Sequence, residues 1–213
     1  MTNLYVKQLE LGPMQNFVYL LGDPASRDAA VVDPGWEAAR ILQAAAEDGY
    51  RLTAAFVTHH HFDHVMGLGE LLAAADLPVY VHRADAPFLH VARTSLKPVD
   101  DGDLVRIGQV EVRLVHTPGH TPGSQCLLVG DRLFSGDTLF IRACGRWDLP
   151  GGDPAALYDS LSRRLKALDD ETILYPGHNY ADRPTSTIGE EKRTNPFLQI
   201  PSREEFLRMV ERA

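Results

Sequence analysis

Residues Thr58 to His64 read THHHFDH and follow directly on the apolar run AAFV, residues 54–57. Four imidazoles and a carboxylate in seven residues cannot enter a core unpartnered, because each polar group stripped of water without a compensating bond destabilises the fold. The stretch therefore demands an architecture in which a buried strand stops at a rim and hands its polar continuation to a shared point. A bound cation is the partner that offsets the desolvation of so many donors at once.

The same design recurs three times. VEVRLVHTPGH (110–120), DRLFSGDT (131–138) and ETILYPGH (171–178) each run from an apolar strand through a tight turn to a metal-capable side chain. Gly119, Gly136 and Gly177 stand beside the donors, where a missing Cβ lets the backbone bend sharply. Strands lying side by side would bring His59, His61, Asp63, His64, His120, Asp137 and His178 to one rim. Five imidazoles and two carboxylates exceed the four positions of a tetrahedral zinc ion. They suit two divalent ions about 3.5–4 Å apart that share a carboxylate and a hydroxide. With no thiolate in the set, zinc is the default metal, and iron or manganese the alternatives. His60, His82, His90 and His116 read as ordinary core or surface histidines, and Cys144 as a small packing residue.

The rest of the chain supplies the scaffold. Apolar or β-branched runs bounded by turn residues predict strands at 4–9, 16–22, 29–33, 53–57, 78–82, 104–107, 110–116, 124–129, 132–135 and 172–175. Apolar spacing of three and four predicts helices at 36–48, 65–75, 154–168 and 202–212, the third opened by Asp153 as N-cap and Pro154 at its first position. The expected fold is α/β, two packed sheets flanked by helices, formed by residues 1–213 as one domain. A net charge of -8 argues against a sequence-independent grip on nucleic acid. The start of the chain has no basic segment followed by an apolar one, and no run of eighteen apolar residues occurs, so no membrane association and a cytoplasmic location are expected. Two distant cysteines, Cys126 and Cys144, fit a reducing compartment.

In their order, the HxHxDH run at 59–64, PGHTPGS, SGDTLF and YPGHNY resemble the metallo-β-lactamase superfamily, over nearly the whole chain. The resemblance implies an αββα four-layer sandwich with metals at one edge. It assigns His59, His61 and His120 to one ion, Asp63, His64 and His178 to a second, and Asp137 as the bridge between them. Within the superfamily THHHFDH, HTPGHTPGS, GDTLF, CGR and GHNY look like glyoxalase II, the hydroxyacylglutathione hydrolase. That likeness implies a thioesterase in which metal-bound hydroxide attacks an acylglutathione. Asp63 and Asp137 would be its catalytic carboxylates, and Arg146 and Tyr180 would hold the glutathione moiety. The chemistry is coherent, because two divalent ions lower the pKa of a bridging water toward about 7 and a thiolate leaves without a strong general acid. LFIRACGRWDLPGGDPAALYDSL and STIGEEKRTNP are instead similar to persulfide dioxygenases, and Asp148 stands where glyoxalase II has tyrosine. This alternative implies one Fe(II) on His59, His120 and Asp137, oxidising glutathione persulfide.

Overall fold

The computed structural model describes residues 4–211. Two six-stranded sheets face each other. The first has the order β1 (Tyr5–Leu11), β2 (Asn16–Gly22), β3 (Asp28–Val32), β4 (Arg51–Val57), β5 (Val79–His82), β6 (Leu96–Val99). Its first three strands are antiparallel neighbours, and β3 to β6 run parallel. The second sheet is built from β7 (Leu104–Ile107), β8 (Val110–His116), β9 (Gln125–Val129), β10 (Arg132–Gly136), β13 (Ile173–Pro176) and β14 (Ser186–Thr187), in the order β14-β13-β10-β9-β8-β7. A small hairpin, β11 (Leu139–Phe140) with β12 (Ala143–Cys144), projects beside it.

The alternation of side chains along each strand explains the layering. In β2, Phe17, Tyr19 and Leu21 turn inward to meet Phe56 of β4 and Leu127 and Phe134 of the second sheet. Val18 and Leu20 turn outward against Ile41 of α1 (Ala38–Glu47) and Leu68 and Leu71 of α3 (Leu68–Ala74). Outside the second sheet, Leu133 and Leu174 pack under α4 (Pro154–Asp159), α5 (Ile188–Thr194) and α6 (Arg203–Val210) through Leu157, Ile188 and Phe206. The result is the four-layer αββα sandwich. Phe56 and Phe134 are fully buried between the sheets, each contributing about 1.5–3 kcal/mol through the apolar surface removed from water.

The ten expected strands are present, three of them (16–22, 104–107 and 110–116) with the expected bounds and the others with ends moved by one or two residues. Four short strands went unpredicted: β6, β11, β12 and β14. The β6 sequence LKPV carries a proline, which a strand tolerates at a sheet edge, and β6 is the edge of its sheet. The helix expected at 65–75 is two pieces, α2 (Phe62–Val65) and α3, separated at Gly67, where a Cβ would come within 2.7 Å of the Pro34 carbonyl. Asp153 caps α4 by accepting from the amides of Ala155 and Ala156, and the helix continues as a wider π turn over Ser160–Leu165. The helix α5, IGEEKRT, was not predicted because its apolar stripe is a single isoleucine; the Thr187 hydroxyl starts it by accepting from the Glu190 amide. The last helix ends at Val210, and residue 212 of the expected range lies outside the described residues. Among the described residues no helix is long and apolar enough to cross a membrane.

Candidate metal centre

Parallel strands bring their carboxyl ends to one rim, and the donors sit there. Asp33 follows β3, and His59, His61, Asp63 and His64 follow β4. In the second sheet His120 lies in the turn between β8 and β9, while the parallel pair β10 and β13 delivers Asp137 and His178. The His178 loop is joined to the start of β2 across the sandwich, where the Phe17 amide donates to the Gly177 carbonyl at 2.8 Å and the Asn179 amide to the Gln15 carbonyl at 2.8 Å. All seven expected donors therefore meet.

They form two adjoining groups. One donor atom each from His59, His61 and His120 lies within 4.8 Å of the others, and the same holds for Asp63, His64 and His178. Asp137 stands between them, with Oδ2 3.6 Å from His120 Nε2 and 3.3 Å from His178 Nε2, and Oδ1 3.4 Å from His64 Nε2. His59 Nε2 is 4.0 Å from Asp137 Oδ2.

The outer nitrogens show that the rings are aimed. His120 Nδ1 donates to the Arg146 carbonyl at 2.7 Å, and His178 Nδ1 to the Met14 carbonyl at 2.9 Å. His64 Nδ1 lies 3.0 Å from Asp33 Oδ2. His59 Nδ1 lies 3.0 Å from the Thr58 hydroxyl, which itself donates to Asp33 Oδ2 at 2.6 Å and so accepts from the ring. For His59, His120 and His178 the outer bond places the proton on Nδ1 and leaves Nε2 as the lone-pair donor facing inward. Two buried atoms at the centre, His59 Nε2 and Asp137 Oδ1, have no hydrogen-bond partner. A buried orphan pair of this kind fits a cation as the missing partner.

Charge states favour the same occupant. Burial, reinforced by the neighbouring imidazoles, pushes His59 well below the usual histidine range and pulls His61 down to about 4, so both rings are neutral at pH 7. Burial alone would raise Asp137, but the adjacent His64 and His178 outweigh it and hold the carboxyl well below its ordinary value. Neutral His59 and His61 and an ionised Asp137 are the forms a divalent ion binds, whereas His64, which burial alone would lower, is raised well above the usual histidine range by Asp137 and Asp33 and would have to release its proton to take an ion.

A cleft of about 620 Å³ opens over the centre, walled by Met14, Phe62, Phe140, Leu149 and Pro150. Arg146 and Tyr180 both line it. Tyr180 stacks on His178 with ring centres 4.6 Å apart, and Arg146 makes a two-pronged ion pair with Asp148 at 2.9 and 2.8 Å. Cys144 also reaches the cleft, but burial pushes its thiol up to about 12. At pH 8 only about one thiol in ten thousand is then thiolate, so iodoacetamide is expected to leave the native protein unmodified and to label it after denaturation. Intact-mass measurement checks this, and rapid native labelling at Cys144 would contradict it.

Residues without a sequence signal complete the site. Asn16 donates to Asp63 Oδ2 at 2.9 Å and accepts from the Trp36 indole at 2.8 Å. Asp33, with φ of 52° in the left-handed region, accepts from the Thr58 amide at 2.7 Å. The VDPG turn that holds Asp33 was the one hint in the chain, a carboxylate just past an apolar strand.

Residues 11–178 match the metallo-beta-lactamase superfamily. The chain is 36% identical over 200 residues to the human mitochondrial persulfide dioxygenase ETHE1, covering 91% of this chain and 75% of that one. A crystal structure of ETHE1 from Myxococcus xanthus superposes with a TM-score of 0.88 at 41% identity, covering 97% of this chain and 90% of that one. A probable polyketide biosynthesis zinc-dependent hydrolase, PksB of Bacillus subtilis, is 31% identical over 193 residues, covering 91% of this chain and 86% of that protein. These likenesses correct the expectation of a glyoxalase II-like thioesterase. The donors that prompted it, from THHHFDH to GHNY, can serve hydrolytic and oxygenase chemistry alike, so they do not discriminate between the two; the likeness to two ETHE1 proteins favours the dioxygenase alternative. With its relatives enzymes that include a zinc-dependent hydrolase and a dioxygenase, and its donors gathered for divalent metal, the chain belongs to the metallo-beta-lactamase superfamily.

Proposed function

We propose that the protein is a persulfide dioxygenase that uses one ferrous ion and acts on the persulfide of a small thiol such as glutathione. The observation that carries this reading is the 41% identity, over 97% of the chain, to the Myxococcus ETHE1 structure. The geometry supports it. His59, His120 and Asp137 present two imidazoles and a carboxylate on one side of the centre, a face suited to non-haem iron with positions left for two reactants. When bound there, ferrous iron supplies the redox chemistry that lets dioxygen react with a persulfide sulfur.

The chain's own residues do the rest. The carbonyl of Arg146 and the hydroxyl of Thr58 hold His120 and His59 in the tautomer that keeps Nε2 free. The apolar wall of Phe140, Leu149 and Pro150 shields the reacting sulfur from bulk water. At the mouth, the Arg146 guanidinium offers a carboxylate of the carrier thiol a partner in exchange for Asp148, and the Tyr180 ring gives it a flat surface to lie on. Asp63, His64 and His178, whose inner polar atoms lie within 3.4 Å of one another, with Asn16 donating to Asp63, then pack beside Asp137 as its support.

The test joins metal analysis to oxygen uptake. Protein loaded anaerobically with Fe(II) is expected to hold about one iron per chain and to consume oxygen on addition of glutathione persulfide. His178→Ala is expected to keep that one iron. Absence of persulfide-dependent oxygen uptake by the iron-loaded wild type would sink the reading, as would a requirement for two ions per chain.

A further inference from the structure

The donors of the centre come from different sheets. His59 and His61 end β4, whereas His120 sits in the β8–β9 turn. Their separation depends on what ties the two loops together. On one side Gln125, at the start of β9, donates its amide to the Thr58 carbonyl at 2.9 Å and its side-chain NH2 to the Val57 carbonyl at 2.9 Å. On the other side the tie is Asp85.

Asp85 belongs to a third segment, just past β5, and is completely buried. Its Oδ2 accepts from the His60 amide at 2.9 Å and from the Thr121 hydroxyl at 2.7 Å; its Oδ1 accepts from the Gly123 amide at 2.6 Å. His60 Nδ1 lies 2.9 Å from Oδ2, with its ring stacked on Phe88 at 4.4 Å. One carboxylate thus grips the residue between His59 and His61 and the residue after His120. The fit is tight: a Cβ on Gly123 would fall 2.5 Å from the Asp85 carboxyl. These charge-assisted bonds also hold the carboxyl ionised against the cost of its burial.

We infer that Asp85 is a positioning residue whose carboxylate sets the distance between the His59–His61 loop and the His120 turn, and through it the affinity and geometry of the metal centre. The inference rests on the metal-centre reading and goes beyond it, since Asp85 touches neither metal nor substrate. An ionised carboxylate takes all of these donors at once, whereas a carboxamide in the same place must turn its NH2 toward either the His60 amide or the Gly123 amide.

Cobalt(II) is the probe, because its visible absorption reports ligand geometry without turnover. Metal-free wild type and Asp85→Asn are titrated with Co(II) against a competing chelator, and the thermal unfolding of both metal-free proteins is recorded. The expected result is about 10- to 100-fold weaker Co(II) binding by Asp85→Asn, the range for residues that orient ligands, with an altered visible spectrum. Cooperative metal-free unfolding shows that the variant is folded. Equal affinity within twofold and an unchanged spectrum would overturn the inference, whatever happens to the unfolding temperature. Failure of the wild type to bind Co(II) would instead overturn the metal-centre reading on which it stands. Should Asp85→Asn not fold, Thr121→Val removes one donor and keeps the carboxylate. A weakened Co(II) affinity in that variant supports the inference, and wild-type affinity and spectrum overturn it.

Discussion

His59→Ala is expected to abolish iron retention and to lower persulfide-dependent oxygen uptake by about a thousandfold or more, a loss of about 4 kcal/mol of transition-state stabilisation. His59 is 1% exposed, its Nε2 faces the centre, and that atom has no protein hydrogen-bond partner. Among the described residues nothing else uses that atom. The same fact makes a second, opposite expectation for the metal-free protein. Its ring stands 4.1 Å from that of His64 and 4.8 Å from those of His61 and His120, and burial keeps His59 itself from ionising. Truncation removes that unpartnered buried nitrogen, which offsets the cavity it leaves, so metal-free His59→Ala should unfold close to metal-free wild type. Iron separates the two. At a thousandfold excess over Kd a ligand stabilises by about 4 kcal/mol, and for a chain of this size that raises Tm by roughly 8–16 °C. The wild type should show the rise and His59→Ala should not. Anaerobic thermal scans with and without Fe(II), alongside metal analysis of desalted protein, check both halves. Full iron retention by the variant would remove His59 from the centre.

Gly145→Ala is the second large effect expected, and it arises from a single methyl group. A Cβ at Gly145 would lie 1.8 Å from the Asp137 carbonyl oxygen and 3.1 Å from His120 Nδ1, between two donors of the centre. Backbone oxygen yields poorly, so the 143–147 segment or the Asp137 loop must move by about 1 Å, and misplacement on that scale costs about a hundredfold in rate. Iron affinity should fall with it. Gly145 is not among the residues with positive φ, so the damage comes from the close approach and not from the backbone angle. Gly102 provides the converse control. It has φ of 83° and no atom within 4 Å of the place a methyl group would take, so Gly102→Ala should destabilise by about 1 kcal/mol and leave the metal untouched. Equal iron affinity in Gly145→Ala and wild type would show that the 145–147 turn is free to move away from Asp137.

The rim was readable from the chain because its elements carry local signals. A strand such as AAFV followed by THHHFDH announces both the buried segment and its polar end, and SGDT and YPGH repeat the pattern. The residues that aim the donors carry no such mark. Asp85, in HRADAPF, looks like any turn aspartate, and Asn16, in MQNFVY, like the first residue of a strand. Only the order of strands in the sheets brings Asp85 to Thr121 and Asn16 to Asp63. The Met14 and Arg146 carbonyls that fix His178 and His120 are backbone atoms, which a sequence cannot single out. Reaction type was the hardest part, because one set of imidazoles and carboxylates suits both water activation and oxygen chemistry and the donors alone leave the reaction open.

Because the rim draws from both sheets, the emerging polypeptide reaches residue 64 with His59, His61, Asp63 and His64 in place, and must still be extended by more than half its length to supply His120, Asp137 and His178. A fragment that ends before residue 120 holds only part of the donor set. Durable metal capture thus becomes a property of the folded chain, in which both halves have closed around the site.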